Sequence, residues 1–274
     1  MIARATSSSG SPRVCPSCVM LPFYHMPCAQ NHAAVPRVRA RRARMGTVSV
    51  LESLRAVLHR PTENSLRTPL ELRAPAGAPP LVLRTMTVRD EQEWDDVRMR
   101  NTDWLEPWES NDPMRHRLVT FPQWIAMQRR DERNGDAIVF VMVLDGAIIG
   151  QISLGAIFRG AMRTGIIGYW IDERYAGRGL TPLAVAMVCD WALQMPTGPR
   201  LHRMEIDLVP ENERSRAVVR KVGARYEGVK KRYMYINGIW RDHESYSLLA
   251  EDAPQGFVRR LLSDTPSEKP HELS

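Results

Sequence analysis

A glycine loop between an apolar run and a helix is the stretch of sequence best suited to chemistry. Gly177 and Gly179 follow an apolar segment and precede the predicted helix 180–191. Glycines leave backbone amides uncovered, and a helix N-terminus adds free N–H groups with partial positive charge, so a pyrophosphate could bind here. Arg174 and Arg178 would strengthen that attraction.

The residue types and spacing of this loop exclude two common kinds of phosphate-binding site. A Walker loop requires a lysine directly after its last glycine, and none follows Gly179. The dinucleotide fingerprint requires a third glycine three residues later, where this chain has Pro182. The spacing that remains is Arg174-x-x-Gly177-x-Gly179. Taken alone, these six residues would also fit an ordinary turn from strand to helix.

Polar residues downstream are candidates for acid–base and binding roles. Glu205 and Asp207 share one face of a predicted strand, and Asn212 and Ser215 open the next predicted helix. A carboxylate near the centre of a partly buried strand could have the raised pKa that a base requires, which favours Glu205. His243 is a further candidate, although a histidine in such a strand is more often a hydrogen-bonded structural residue.

An aromatic, turn-rich segment upstream could form a substrate wall. Trp104 and Trp108 lie within 101–110 beside the carboxylates Asp103 and Glu106. Aromatic residues in a loop suit a substrate wall, and they suit the edge of a core equally well. Either carboxylate could reach a bound substrate through water.

Several spaced motifs surround the glycine loop. In chain order they are Leu105-Glu-Pro-Trp108, Gly168-Tyr-Trp-Ile171, Leu201-His-Arg-x-Glu205, Pro210-Glu-Asn-x-x-Ser215-Arg with Lys221-Val-Gly-Ala, and Gly238-x-Trp-Arg-Asp-His243. Together with the loop they resemble the RimJ/RimL branch of the GNAT superfamily, the ribosomal-protein alanine N-acetyltransferases, and are most similar to its actinobacterial members. The resemblance covers about residues 81–250. Ala224 and Tyr226 depart from it, since the branch usually has phenylalanine and often glutamate there.

The resemblance implies an α/β (α+β) fold, with a mixed, mostly antiparallel sheet flanked by helices. Acetyl-CoA, the co-substrate, would enter where the predicted strands 164–172 and 201–209 splay apart. By this resemblance Ser215 would protonate the leaving sulfur. The residues themselves favour Glu205 as the base, with Asp103, Glu106 and His243 as alternatives. The cofactor-binding positions would be Trp170, Ile171, Asp172, Arg174, Ala176, Gly177, Arg178, Gly179, Leu180, Thr181, Asn212 and Ser215, and the substrate-binding positions Trp104, Glu106, Trp108 and Tyr169.

The activity implied is acetyl transfer to a protein N-terminal α-amine by direct attack on the thioester. The acceptor would be a ribosomal or other cytoplasmic protein, and ribosome association is compatible with that role. A small-molecule amine acetyltransferase is the alternative among enzymes, favoured by an acidic, narrow pocket, whereas an open groove would suit a peptide. A third reading is nucleic-acid binding through the N-terminal segment.

The excess of positive charge in the chain lies in that N-terminal segment. The chain carries a net charge of +7, and residues 1–80 contain 11 arginines, no lysine and 3 acidic residues. This stretch is rich in proline and serine, and we expect a disordered extension followed by a domain at 81–250 and a loose tail at 251–274.

The cysteines suggest a reducing compartment. Cys15, Cys18, His25, Cys28 and His32 have the ligand types of a zinc knuckle, but prolines interrupt them and no small core surrounds them, so we expect no metal. The body of the chain contains one cysteine, which forms no disulfide framework and fits the cytoplasm. No secretory signal or membrane span is expected.

Hydrophobic periodicity predicts the remaining elements. The strands are expected at 81–88, 137–144, 147–154, 164–172, 201–209, 225–236 and 239–249. The helices are expected at 48–58, 90–100, 121–133, 180–191 and 210–223, with one helical turn at 257–262.

Overall fold

A computed structural model describes residues 65–66, 71–114 and 119–263, which form one eight-stranded sheet with helices on both faces. The strands are β1 (Glu71–Arg73), β2 (Leu81–Thr85), β3 (Ile138–Leu144), β4 (Ala147–Phe158), β5 (Thr164–Ile171), β6 (Arg203–Leu208), β7 (Arg225–Ile236) and β8 (Ile239–Leu249). The α-helices are α1 (Glu91–Arg100), α2 (Thr102–Leu105), α3 (Phe121–Asn134), α4 (Leu180–Cys189), α5 (Glu213–Lys221) and α6 (Phe257–Ser263).

The sheet is antiparallel except at one junction. Its strand order is β1-β2-β3-β4-β5-β6-β8-β7, and only β5 and β6 run parallel. These two strands pair over three positions, from Thr164 opposite Arg203 to Ile166 opposite Glu205, and then separate. The mixed, mostly antiparallel fold and the predicted splayed strand pair are thereby confirmed.

Each face of the sheet is covered by a different set of helices. Every residue of α4 is buried, which fits a helix that is apolar all round, and it packs with Ile206 and Leu208 of β6 in the larger core. On the opposite face, α1 and α3 contribute Trp94 and Trp124, whose rings lie 5.1 Å apart, to a smaller core that includes Trp170. The side chains of β5 therefore alternate between the two cores.

The predicted elements of the body are present, with shifts at their ends. The hairpin turn at Asp145 and Gly146 and the one at Asn237 and Gly238 have positive φ at all four residues, as their sequence predicts. Strand β4 continues to Phe158, four residues past the predicted end. The predicted helix 180–191 divides into α4 and a π-helical turn, Asp190–Gln194.

The packed domain extends beyond the predicted limits at both ends. Strand β1 pairs with β2, and the side chain of Leu66 is buried in the larger core. Helix α6 packs on α4, and its first amides donate to the carboxylate of Asp190. The predicted helical turn at 257–262 is therefore present as α6, but the expectation of a loose tail is wrong for 251–263, because α6 is held by contacts with Asp190 and the core that lie far away in the sequence.

Several expectations lie outside the described residues. These are the helix 48–58, the cysteine and histidine cluster, and the Arg-rich run that motivated the nucleic-acid reading. Within the described ranges, no group of side chains has the makings of a metal site, and no helix has the length and apolarity to cross a bilayer.

Candidate active site

The gap between β5 and β6 opens a cavity of about 530 Å³ that reaches both faces of the sheet. Its lining on the side of α4 includes Tyr169, Ile206 and Ser215, and on the side of α1 it includes Trp170 and Asp207. Side chains alternate along a strand, so adjacent residues of β5 and β6 line opposite halves. Two molecules could thus meet in the gap from opposite faces.

The glycine loop forms one end of the cavity. Gly177 and Gly179 both have a φ of +76°, a left-handed conformation that glycine adopts without strain. In the described chain no backbone acceptor pairs with the amides of residues 177–179, and those of 180–181 belong to the first helical turn. The amide of Ala176 instead donates to Glu173. The bare amides are therefore those from residue 177 onward.

The predicted arginines do not line this cavity. Arg174 and Arg100 bind the buried carboxylate of Asp172, at 2.7 and 2.8 Å. Burial disfavours the charged carboxylate, but these hydrogen bonds outweigh it and hold the pKa of Asp172 at about 2. Arg178 is exposed and lies over the ring of Tyr175. The side chain of Asp172 thus holds the loop in place through Arg174 and does not line the cavity.

Lys221 supplies the positive charge that was expected from Arg174 and Arg178. Its Nζ lies 3.6 Å from the point where a Cβ on Gly179 would stand, and it lines the cavity. It is the last residue of α5, more than 40 positions after the loop in the chain. Only the packing of α5 beside α4 brings this charge to the bare amides, so local spacing could not reveal it.

Two hydroxyls meet on the α4 side of the gap. The Oη of Tyr169 lies 2.8 Å from the Oγ of Ser215, and both residues line the cavity. Burial raises the pKa of Tyr169, although its bond to Ser215 opposes the shift. Asn212 caps α5 by accepting from the Ser215 amide at 3.0 Å, and it also lines the cavity. The predicted substrate residue Tyr169 therefore lies beside the predicted cofactor residues.

The aromatic segment closes the cavity from the side of α1 and α2. The Trp104 indole donates to the carbonyl of Ile171 at 3.1 Å, and the guanidinium of Arg214 stacks over its ring at 3.7 Å. Trp108 lines the cavity as well. Glu106 is exposed and does not line it, and its carbonyl accepts from Asn237.

A buried arginine forms the floor of this aromatic side. Arg98 lies over the rings of Trp170 and Trp94, at 5.0 and 5.7 Å, and pairs with Glu109. Burial lowers its pKa to about 10, so it remains charged at neutral pH. The Trp170 side chain consequently belongs to the wall on the α1 side, and its peptide group belongs to the strand edge in the gap.

Glu205 does not have the raised pKa expected of a base. Burial alone would raise its pKa, but Lys230 and Arg203 bind the carboxylate and the net pKa is lowered. It does not line the cavity, whereas Asp207 and His243 do. Glu205 therefore lacks the raised pKa on which its preference as a base rested. Asp207 and His243, on the same face of β6 and β8, line the cavity instead.

The sheet separates at the junction of its two parallel strands, with free backbone amides at one end of the gap and two paired hydroxyls inside it. This arrangement is typical of an enzyme that binds an elongated ligand carrying a phosphate group. Residues 80–225, just over half of the chain, match the acetyltransferase (GNAT) domain family. The chain belongs to this family, and its activity is N-acetyl transfer from acetyl-CoA, its co-substrate.

Among known proteins, the chain is similar to RimJ and to other N-acetyltransferases. It is 36% identical to Mycobacterium smegmatis RimJ solved with CoA-disulfide, covering 72% of this chain and 95% of that one, with a TM-score of 0.64. It is 29% identical to the ribosomal protein uS5-alanine N-acetyltransferase of Escherichia coli (strain K12), covering 64% of this chain and 91% of that protein. It is 38% identical to the probable N-acetyltransferase YjcK of Bacillus subtilis (strain 168), where the match covers 40% of this chain and spans 60% of that protein.

Proposed function

We propose that this enzyme acetylates the N-terminal α-amine of a ribosomal or ribosome-associated protein by direct attack on the thioester. The observation that carries the proposal is the cavity open on both faces of the sheet, with the bare amides on one side and the aromatic wall on the other. This arrangement lets the acceptor approach the acetyl carbon from the face opposite the co-substrate. The name of the E. coli relative, a ribosomal protein uS5-alanine N-acetyltransferase, supports the choice of acceptor.

The α4 side would hold the co-substrate. The amides of 177–181 and the charge of Lys221 suit the pyrophosphate, and Asn212, whose Oδ1 is used in capping, keeps its Nδ2 hydrogens for an amide of the arm. The exposed backbone edge of β5 at 170–171 would bind the pantetheine arm of acetyl-CoA as an added strand would bind. In the structure the carbonyl of Ile171 accepts a hydrogen bond from Trp104.

Ser215 would protonate the departing sulfur. Its Oγ is half-buried in the cavity and hydrogen-bonded to the Oη of Tyr169, which can return a proton to it. Acetyl transfer forms one bond from the amine nitrogen to the acetyl carbon and breaks the carbon–sulfur bond. A hydroxyl pair at the breaking bond neutralises the thiolate as it forms.

The aromatic side favours a peptide with a small apolar first residue. Trp94, Trp108, Met234 and Ile236 line it, and among the described residues its one buried cation, Arg98, is paired with Glu109. A polyamine would instead require several unpaired carboxylates. A small-molecule amine acceptor therefore has less support on this face.

The test uses purified protein, acetyl-CoA and three acceptors of defined chemistry. These are a peptide beginning with alanine, the same peptide with a blocked N-terminus and an internal lysine, and spermidine. We expect acetylation of the free alanine α-amine alone, located by fragment mass spectrometry. Preferential acetylation of spermidine would overturn the peptide acceptor. In cells, comparison of N-terminal acetylation with and without the gene would identify the natural acceptor.

A further inference from the structure

We propose that Asp207 and His243 form the acceptor-amine site: Oδ1 of Asp207 receives a hydrogen bond from the amine, and Nε2 of His243 takes its proton. This assignment rests on the proposed acetyl transfer to an amine and names the residues that bind and deprotonate that amine. It replaces Glu205, which does not face the cavity.

Asp207 has a buried acceptor atom without a hydrogen-bond partner in the described chain. Its side chain is 1% exposed, Oδ2 lies 3.0 Å from Nζ of Lys230, and buried Oδ1 has no hydrogen-bond partner in the described chain. A buried carboxylate oxygen without a partner is costly, so a donor from a ligand would relieve it. Because Asp207 lines the cavity one residue after Ile206, that donor would lie in the gap on the α1 side. An amine offers the required N–H groups and complementary charge.

The neighbours of Asp207 keep it from being satisfied internally. Lys230 binds both Asp207 and Glu205, and Arg203 binds both Glu205 and Glu227, so two cations serve three carboxylates. Burial, followed by the charge of Glu205, raises the pKa of Asp207, and hydrogen bonding by Lys230 and Ser245 opposes the rise. The cluster of three carboxylates and two cations retains a net negative charge, which attracts a protonated amine into the cavity.

His243 is held in the form of a base. The ring is 3% exposed, and its Nδ1 lies 3.1 Å from the carbonyl oxygen of Arg241. Since a carbonyl only accepts, Nδ1 carries the hydrogen and Nε2 has the lone pair. Burial lowers the pKa of His243, and the charges of Arg241 and Lys230 act in the same direction, so the ring is neutral near pH 7.

The other groups around His243 leave that lone pair available. The Tyr233 ring of β7 packs edge-on at 5.7 Å, and Arg241 pairs with Glu211. Asp242, the adjacent acid, is bound to Lys231. On the β6 side, the facing acid is Asp207. In the described chain, the ring makes no hydrogen bond other than the one from Nδ1.

The sheet register places the two side chains at the right separation. Asp207 pairs with Ser245, and His243 precedes Ser245 by two residues, so the two proposed residues are diagonal neighbours on one face. Diagonal Cβ atoms in an antiparallel pair lie roughly 7–8 Å apart. That spacing accommodates one amine nitrogen between a carboxylate oxygen and an imidazole nitrogen.

The proton balance then closes. The bound ammonium first passes one proton to Nε2 of His243, which releases it to solvent. The neutral amine nitrogen then bonds to the acetyl carbon as the carbon–sulfur bond breaks, and the departing sulfur takes the Ser215 proton. The second proton lost by the nitrogen restores the Ser215 hydroxyl. Asp207 changes no covalent bond, so it is a binding residue. Its loss should weaken acceptor binding, whereas loss of His243 should slow the chemical step.

The experiment compares four variants in the full chain, with the alanine peptide as acceptor. Asp207→Asn should raise the acceptor KM by about 10-fold or more with a smaller change in kcat. His243→Asn keeps a donor for the Arg241 carbonyl but lacks Nε2. It should lower kcat by about 10²–10⁴-fold and remove the acidic limb of the pH–rate profile. Glu227→Gln is the matched control, a carboxylate on the same face that binds Arg203 outside the cavity, and Glu205→Gln tests the competing base.

Calorimetric acetyl-CoA affinity must be unchanged in each variant, which separates a local role from misfolding. If Asp207→Asn does not fold, Asp207→Ser replaces it, and His243→Ala rescued by added imidazole replaces His243→Asn. A wild-type KM in the Asp207 variants, or an intact acidic limb without His243, overturns the assignment, as does a loss of kcat confined to Glu205→Gln. Failure of the wild type to acetylate the peptide would instead overturn the proposed function.

Discussion

Replacing Lys221 with methionine should weaken acetyl-CoA binding by a calculable amount. Its Nζ lies 3.6 Å from the Cβ position on Gly179, so a phosphate on the loop amides would stand about 4 Å from the charge. Two unit charges at that distance attract by ~1 kcal/mol in bulk water and ~4 kcal/mol at an effective dielectric of 20. Because Lys221 is exposed, the lower part of this range applies. We expect a loss of about 1–2 kcal/mol, a 5- to 30-fold rise in Kd.

Calorimetry on two ligands isolates the cause. The Kd for acetyl-CoA should rise in Lys221→Met and converge with the wild-type value at high salt, whereas the Kd for acetyl-pantetheine, which lacks the pyrophosphate, should not change. Lys231→Met is the matched control, because Lys231 is exposed and paired with Asp242 on the last hairpin. Equal loss for both ligands, or no loss for acetyl-CoA, would refute the phosphate contact.

Three further predictions concern the loop, the leaving group and the buried ion pair. Gly179→Val should abolish measurable CoA binding in calorimetry while the protein stays folded, since a branched side chain covers the amides and strains a φ of +76°; undiminished affinity would contradict it. Ser215→Ala should lower kcat by about 10²–10⁴-fold with little change in acetyl-CoA affinity, and activity within about threefold of wild type would remove the serine from the reaction. Asp172→Asn should lower the unfolding midpoint at pH 7 by about 4–8 °C. Because the folded pKa of Asp172 is depressed to about 2, the stabilisation is present above its usual pKa of 3.8 and is lost as the pH falls, so the difference should narrow below pH 4.

The sequence was informative wherever local chemistry decides structure. Alternating apolar residues and two-residue turns such as Asn237-Gly238 are local signals of β-strands and hairpins, so β2 to β8 could be predicted from the sequence. The edge strand β1 has no such pattern, because its three residues are mostly exposed. Helix α6 is stabilised by Asp190, a residue 67 positions away from Phe257, and no local pattern encodes that contact.

The same division holds for the site. The bare amides follow from where glycine stands in the sequence, and the hydroxyl pair involves two residues already identified as candidates. The positions of Lys221 and the unpaired oxygen of Asp207 depend on how strands and helices pack. Glu205 and Asp207 lie two positions apart on the same face of one predicted strand, so the sequence does not distinguish them. In the structure Glu205 is bound by Lys230 and Arg203, whereas Asp207 lines the cavity. Only the tertiary structure separates them.

The parting of β5 and β6 has a consequence for handling the protein. Beyond Ile166 the two strands present unpaired backbone edges inside the sheet, and such edges can add a strand from another molecule. Acetyl-CoA would cover the same edges, so the ligand would act as a solubility factor as well as a reactant. Purification and storage with CoA should therefore suppress self-association, and slow aggregation of the ligand-free enzyme would begin in the gap between these strands.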